Sequence, residues 1–390
     1  MIPLMKNAFL REQETKDALA DFIRSADKLS MGECCRRFEE AFATAQGCSY
    51  AVLVNSGSSA NLVLLQSLKN VERLKTGDKI GFSALTWATN VMPIIQMGLE
   101  PVPIDCERNT LNISSRTLRD RLAEVDLQAV FVTNALGFAG DLGEIRRTCV
   151  DAEIILIEDN CEALGTELPE GKTGSFGAAA SFSFFVAHHM STIEGGMLAT
   201  DDPQLATMFR MSRANGWDRN LSPMDQVRLR KEHDVSSELY AKYTFYDLAF
   251  NVRPTEITGF LGLRQLALLP ENIAARLRNY REIESVVATN PSFIPIDHSH
   301  ITSVSPFAMP FICKSRDIFL RYSAAFAEAG IEIRPMIAGN IQLQPFYRKH
   351  VAPTYALPNA DFIHNCGFYC GNYPELTRAD LDTFTSCLLR

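Results

Sequence analysis

Two adjacent histidines, His188 and His189, stand shortly before the acidic turn Glu194-Gly195-Gly196. An imidazole titrates near about 6.5, so either ring can take and give a proton close to neutrality. Metal binding is a second chemistry open to such a pair. Neighbours in an extended segment point to opposite sides, however, and no second ligand cluster with metal spacing accompanies them, so no metal is expected. A structural imidazole satisfied in the core is the plain alternative.

Three other segments carry residue types that suit a flat, phosphorylated ligand. Asn55-Ser56-Gly57-Ser58-Ser59-Ala60-Asn61 follows an apolar run and opens a helical pattern. Free N–H groups and serine hydroxyls at such a helix start can hold a phosphate, and a tight turn with a serine N-cap would use the same residues. The apolar run at 154–157 ends in Glu158-Asp159-Asn160-Cys161-Glu162, where open α/β sheets place ligand groups. A carboxylate buried there would pair with a protonated pyridine nitrogen; a helix cap or a solvated strand end is the other reading. Trp87 follows a further candidate strand and could stack on a ring, although a lone aromatic commonly serves packing.

The elements that must position these residues show in the hydropathy pattern. Short apolar runs at 50–54, 79–83, 100–104, 129–133, 154–158, 179–184 and 197–200 alternate with helical stretches such as 60–74, where Leu62, Leu65 and Leu68 share a face. That alternation predicts an α/β domain with a mainly parallel, seven-stranded sheet. A long charged helix is predicted over 271–288, stopped by Asn290-Pro291. The division expected is a large α/β domain over 1–265 and a smaller C-terminal α+β domain over 266–390, the latter with strands at 307–312 and 330–334 and a helix at 316–329. Residues 219–239 are polar and charge-rich, which fits a mobile loop or a solvated helix equally.

Composition narrows the functional classes. A chain of 390 residues with 46% hydrophobic residues buries a large core. Its 38 basic against 46 acidic residues give a net charge of -8, which argues against a nucleic-acid or anionic-membrane surface. The charged N-terminus does not read as a signal peptide, and no apolar stretch is long enough to span a bilayer. Ten cysteines scattered through a core-forming chain fit reduced thiols and a cytoplasmic location.

Taken together, these segments resemble the fold-type I, pyridoxal-phosphate-dependent sugar-nucleotide aminotransferases of the DegT/StrS type over nearly the whole chain. The matching residues include Met31-Gly32-Glu33, Ser56-Gly57-Ser58-Ser59-Ala60-Asn61, Trp87, Glu158-Asp159-Asn160, Ser183, Glu194-Gly195-Gly196 and Asn251-Val252-Arg253-Pro254. In that family the cofactor-binding lysine lies six residues before the Glu of Glu-Gly-Gly, and here that position is His188. The substitution resembles the family's coenzyme-dependent 3-dehydratases, which use histidine there and hold pyridoxamine phosphate without a covalent bond. Their Ser-His-His and Arg-Ala-x-Gly-Trp motifs correspond here to Ala187-His188-His189 and Arg213-Ala214-Asn215-Gly216-Trp217, with departures at Ala187 and Asn215.

The resemblance implies roles. His188 would be the catalytic acid/base, Asp159 would bind the pyridine nitrogen, and Trp87 would stack on the ring. Gly57, Ser58 and Ser183 would hold the phosphate, and Glu162 joins the cofactor-binding set. Asn251 would reach the phosphate from a neighbouring subunit, which implies a homodimer with shared active sites. Arg219, Arg253 and Arg334 would serve a sugar diphosphate or a glutamate carboxylate. The reaction implied is loss of the C3 hydroxyl from a nucleotide-linked 4-keto-6-deoxy sugar, GDP-4-keto-6-deoxymannose foremost, with glutamate restoring pyridoxamine phosphate from pyridoxal phosphate.

Other readings stay open at this point. One is an iron–sulfur, reductase-dependent 3-dehydratase, for which Cys366-x3-Cys370 with the distant Cys313 and Cys387 is a poor grouping. A second is a lysine-less protein that binds the cofactor or a sugar nucleotide and regulates. An ordinary aminotransferase would need Lys172 or Lys242, both in polar, loop-like contexts away from the motif.

Overall fold

The computed structural model describes residues 1–390. Its main sheet has seven strands, in the order Tyr50–Val54, Gly196–Thr200, Ala179–Ser183, Ile155–Asp159, Ala129–Thr133, Lys79–Ser83 and Glu100–Ile104. From Ala179–Ser183 to Glu100–Ile104 every pairing is parallel, and Gly196–Thr200 runs antiparallel to both its neighbours. This is the mainly parallel α/β sheet that the alternation of runs predicts.

A parallel sheet must be covered on both faces, and the strands supply apolar residues to both. Along Ala129–Thr133, Val130 and Val132 enter one core while Ala129 and Phe131 enter the core on the opposite face, as a period of two dictates. Two strands end one residue away from their expected limits. The first finishes on Asp159 and the second on Ser183, so both residues lie at carboxyl ends of adjacent parallel strands.

The helix after the first strand runs Gly57–Asn70 instead of 60–74. Its start is set by Ser56, whose Oγ accepts from the Ser59 N–H at 3.0 Å, a cap worth about 1 kcal/mol. The helix expected over 271–288 begins earlier, at Glu256, and continues through Pro270 to Thr289. A Thr255–Thr258 capping box opens it, and tight packing on the helix Glu33–Gln46 holds its first half. A Cβ at Gly259 would lie 2.4 Å from the Cys35 nitrogen, and one at Gly262 would lie 2.3 Å from the Phe38 ring. The expected boundary at 265/266 falls inside this continuous helix.

A four-stranded antiparallel sheet, Phe293–Ile294, Ala308–Cys313, Gly367–Gly371 and Ile333–Pro335 in that order, forms the smaller body. Phe311, Phe326, Phe368 and Phe384 fill its core. Ile2 bridges to Ile331 and joins the same core, so the chain's first residues pack with the C-terminal body. In the polar segment after Arg219, Pro223–Glu232 is a helix capped by Ser222 with no buried residue, the solvated-helix reading of that stretch. No helix is long and apolar enough to cross a membrane.

Candidate active site

Asp159, Ser183 and the N-terminus of the helix Gly57–Asn70 converge where the parallel strands end. A Cβ on Gly57 would stand 2.6 Å from the Ser183 Cβ, and one on Gly196 would stand 2.3 Å from the Ser56 carbonyl oxygen. Glycine at both positions lets the helix begin this close to the strand ends. Gly57, Ser58 and Ser183 thereby line a cavity of about 510 Å³, with the positive end of the helix dipole turned to it.

Asp159 is buried at the cavity wall. Its Oδ2 accepts from Asn61 Nδ2 at 3.0 Å and from Asn90 Nδ2 at 2.8 Å, and its Oδ1 accepts from the Cys161 N–H at 2.9 Å. Three donors fix the orientation of the carboxylate. Trp87 caps the helix Ala88–Gln96, which also carries Asn90. Its ring is 56% exposed and lines the cavity, leaving a free aromatic face.

Glu162 lines the same cavity. Its Oε2 accepts from the Leu136 N–H at 2.9 Å. Burial, reinforced by the charge of Asp159, pushes its carboxyl up to about 7, so it exchanges a proton near neutrality.

His188 lies at the cavity wall with its ring edge to face against Phe307, centroids 5.2 Å apart, and 6.2 Å from Phe185. The His188 N–H donates to the Phe185 carbonyl at 2.9 Å, and its Nδ1 has no hydrogen-bond partner. Burial, with the nearby Arg276 charge adding to it, pushes the imidazole down to about 4. It is therefore neutral at pH 7, the form in which it accepts a proton. His189 is fully buried, and its Nε2 bonds the Ser305 carbonyl at 2.9 Å. The pair divides between one ring at the cavity and one ring tied into the core, and no three His, Cys, Asp or Glu side chains converge as metal ligands.

None of the cavity-lining residues is lysine. Lys172 donates to the Ala45 carbonyl, and Lys242 is exposed beside Arg219. Of the arginines singled out, Arg334 lines the cavity, paired with Glu332 at 2.5 Å. Asn251, Arg219 and Arg253 do not. Arg219 lies over Trp217 at 4.1 Å and Tyr243 at 4.5 Å, while Arg253 lies 5.4 Å over Trp217 and donates to Asn251 Oδ1 at 3.0 Å. Cys313, Cys366, Cys370 and Cys387 are buried in the core of the smaller sheet, where they act as apolar filling.

The residues present fit pyridoxal or pyridoxamine phosphate: a helix start with two serines for the phosphate, a fixed carboxylate for the ring nitrogen, an open indole for the ring face. Sequence reasoning missed several participants. Asn61 and Asn90 sat inside the motifs, and their spacing after Gly57 and Trp87, one helical turn in each case, was the available signal. Phe307, Tyr369 and Leu4 also line the cavity and arrive from distant segments with no local signature.

Comparison with known proteins agrees with this geometry. The profile of the DegT/DnrJ/EryC1/StrS aminotransferase family matches residues 10–389. The chain is 34% identical over 358 residues to GDP-4-keto-6-deoxy-D-mannose 3-dehydratase of Escherichia coli O55:H7 (strain CB9615 / EPEC), covering 90% of each chain. It is 32% identical over 357 residues to the enzyme of the same name from Yersinia pseudotuberculosis, covering 90% of this chain and 89% of that one. Among solved structures, GDP-4-keto-6-deoxymannose-3-dehydratase as a histidine-to-asparagine mutant with bound GDP-perosamine superposes with a TM-score of 0.90 at 30% identity, over 100% of both chains. The same enzyme with a trapped PLP-glutamate geminal diamine gives the same values. The sheet, the cavity at its strand ends and these similarities lead to one statement of kinship: the chain is a fold-type I α/β protein and belongs to the DegT/DnrJ/EryC1/StrS aminotransferase family.

Proposed function

We propose that this chain is a pyridoxamine-phosphate- and glutamate-dependent 3-dehydratase that acts on a nucleotide-linked 4-keto-6-deoxy sugar, with GDP-4-keto-6-deoxymannose as its substrate. The observation that carries the reading is the neutral His188 imidazole on a cavity that offers phosphate, pyridine-nitrogen and ring-stacking partners and no lysine. The likeness to two dehydratases of that sugar, at 34% and 32% identity, supports the choice of substrate.

When bound, the cofactor supplies an amine for the sugar C4 carbonyl and an electron sink for the carbon that gives up its proton. The chain's own residues perform the remaining tasks. Asp159, fixed by Asn61 and Asn90, holds the ring nitrogen, and Gly57, Ser58 and Ser183 hold the phosphate. Trp87 covers a ring face. His188 would take up the proton released next to the cofactor amine and, as imidazolium, would give it to the C3 hydroxyl, which leaves as water. Arg334, at the cavity wall, would pair with a sugar diphosphate or a glutamate carboxylate. In sum, the sugar loses its C3 oxygen and gains two electrons, while glutamate is converted to 2-oxoglutarate and ammonia is released.

The active unit in this reading is a homodimer with shared sites. Asn251 would reach the cofactor phosphate of a second copy, and Arg219 and Arg253 its nucleotide sugar. What supports this is their place on an exposed surface beside Tyr243, Phe245 and Leu248, large apolar side chains that are 57–74% exposed. A cofactor-binding body over 1–265 and a smaller body over 266–390 belong to the same proposal, supported by the two separate sheets. So does a cytoplasmic location, supported by ten free cysteines.

The test is turnover. Purified protein is incubated with pyridoxamine phosphate, glutamate and a panel of GDP- and dTDP-linked 4-keto-6-deoxy sugars, and 2-oxoglutarate and deoxygenated sugar are measured. Both products with the GDP sugar support the assignment. Cofactor binding without either product on any sugar overturns it in favour of a regulatory protein.

A further inference from the structure

Arg276 is a buried cation with no carboxylate in hydrogen-bond contact. It is 4% exposed, on the long helix Glu256–Thr289. Its Nε donates to Asn272 Oδ1 at 2.7 Å, Nη1 donates to the Phe307 carbonyl at 2.8 Å and to the Asn372 carbonyl, and Nη2 donates to the His188 carbonyl at 3.2 Å. Burying a guanidinium among carbonyls is costly unless its donors are used. Here they are used on three separate segments of chain.

Two of those segments bear on one side chain, and the third braces them. The first carries His188 itself. The second carries Phe307, whose ring packs edge to face against the His188 imidazole, and Ser305, whose carbonyl holds His189. The third, at Asn372, is drawn to the same helix by Asn372 Nδ2, which donates to the carbonyls of Arg276 and Pro306 at 3.2 Å each. We infer that Arg276 is a positioning residue for the acid/base: one planar fork gathers the His188, Phe307 and Asn372 backbones and sets where the His188 ring stands in the cavity. This rests on the assignment of His188 as the catalytic base under the proposed function.

The same placement has an electrostatic side. The charge of Arg276 lies close enough to depress both imidazoles, adding to the effect of burial. Burial draws the guanidinium down to about 10, against the opposing charge of Glu375. Fork and charge are separable by substitution, because lysine keeps the charge and cannot bond three carbonyls in a plane.

The experiment uses the full chain with histidine labelled for NMR, and His188→Asn identifies the His188 signal among the 7 histidines. Wild type should show a His188 resonance that does not titrate above pH 5. In Arg276→Met the His188 pKa should rise by about one unit or more. In Arg276→Lys it should stay low while kcat falls about 100-fold with little change in KM. Titration needs no substrate, so the electrostatic arm reads out even if the sugar assignment fails. A His188 titration unchanged in Arg276→Met, or a kcat unchanged in Arg276→Lys, overturns the inference.

Discussion

The imidazole of His188 and the ring of Phe307 meet edge to face, with centroids 5.2 Å apart. The base is thus oriented by an aromatic contact and by its backbone, because Nδ1 has no hydrogen-bond partner. An edge-to-face pair is worth about 1 kcal/mol. Phe307→Leu should leave the fold intact and lower kcat about tenfold by letting the ring turn, and steady-state kinetics with a melting curve on the same sample would check both halves.

Glu162 gives a pH dependence whose sign follows from its environment. The folded chain holds its proton up to about 7, against 4.5 for an ordinary glutamate. Its stabilising effect is therefore complete below about 4.5 and is lost as pH rises through 7. Glu162→Gln fixes the neutral form, so its Tm should exceed that of wild type by a few degrees at pH 8, roughly the effect of 1 kcal/mol, with little difference at pH 5. Scanning calorimetry at the two pH values decides it.

The phosphate cradle depends on a missing side chain. Gly57→Ala places a methyl group 2.6 Å from the Ser183 Cβ, which must move the helix start away from the strand end. Affinity for pyridoxamine phosphate should fall more than about tenfold, since the lost contacts include charge-assisted hydrogen bonds. A fluorescence titration measures the loss, and an unaffected variant would remove the cradle from the account.

Lysine chemistry supplies a further check. With no lysine lining the cavity, borohydride treatment of the protein with pyridoxal phosphate should leave no cofactor adduct there by mass spectrometry. His188→Lys should create one at residue 188.

Much of this is legible in the sequence. The seven strands follow from short apolar runs, Asp159 and Gly57 follow from motifs at predicted strand and helix ends, and Ser183 follows from the family resemblance. Legibility stopped where contacts are long-range. Nothing local marks Arg276 as the hub of three carbonyls, because its neighbours in sequence form an unremarkable charged helix and its partners lie 31 to 96 residues away. That helix starts before the expected 271, and tight glycine packing against Cys35 and Phe38 carries it through Pro270. Asn251, Arg219 and Arg253 were grouped with the site by resemblance, and they stand together on another surface of the same chain.

The long helix has a mechanical consequence. At its start Glu256 accepts N–H bonds from Gly32, Cys34 and Cys35, and about 30 Å further on, at 1.5 Å per residue, Arg276 grips the His188 backbone. A single rod is thus tied at its start to the helix Glu33–Gln46 and, part-way along, to the backbone that carries His188. A shift of this helix would therefore be carried through Arg276 to the backbone that bears the imidazole.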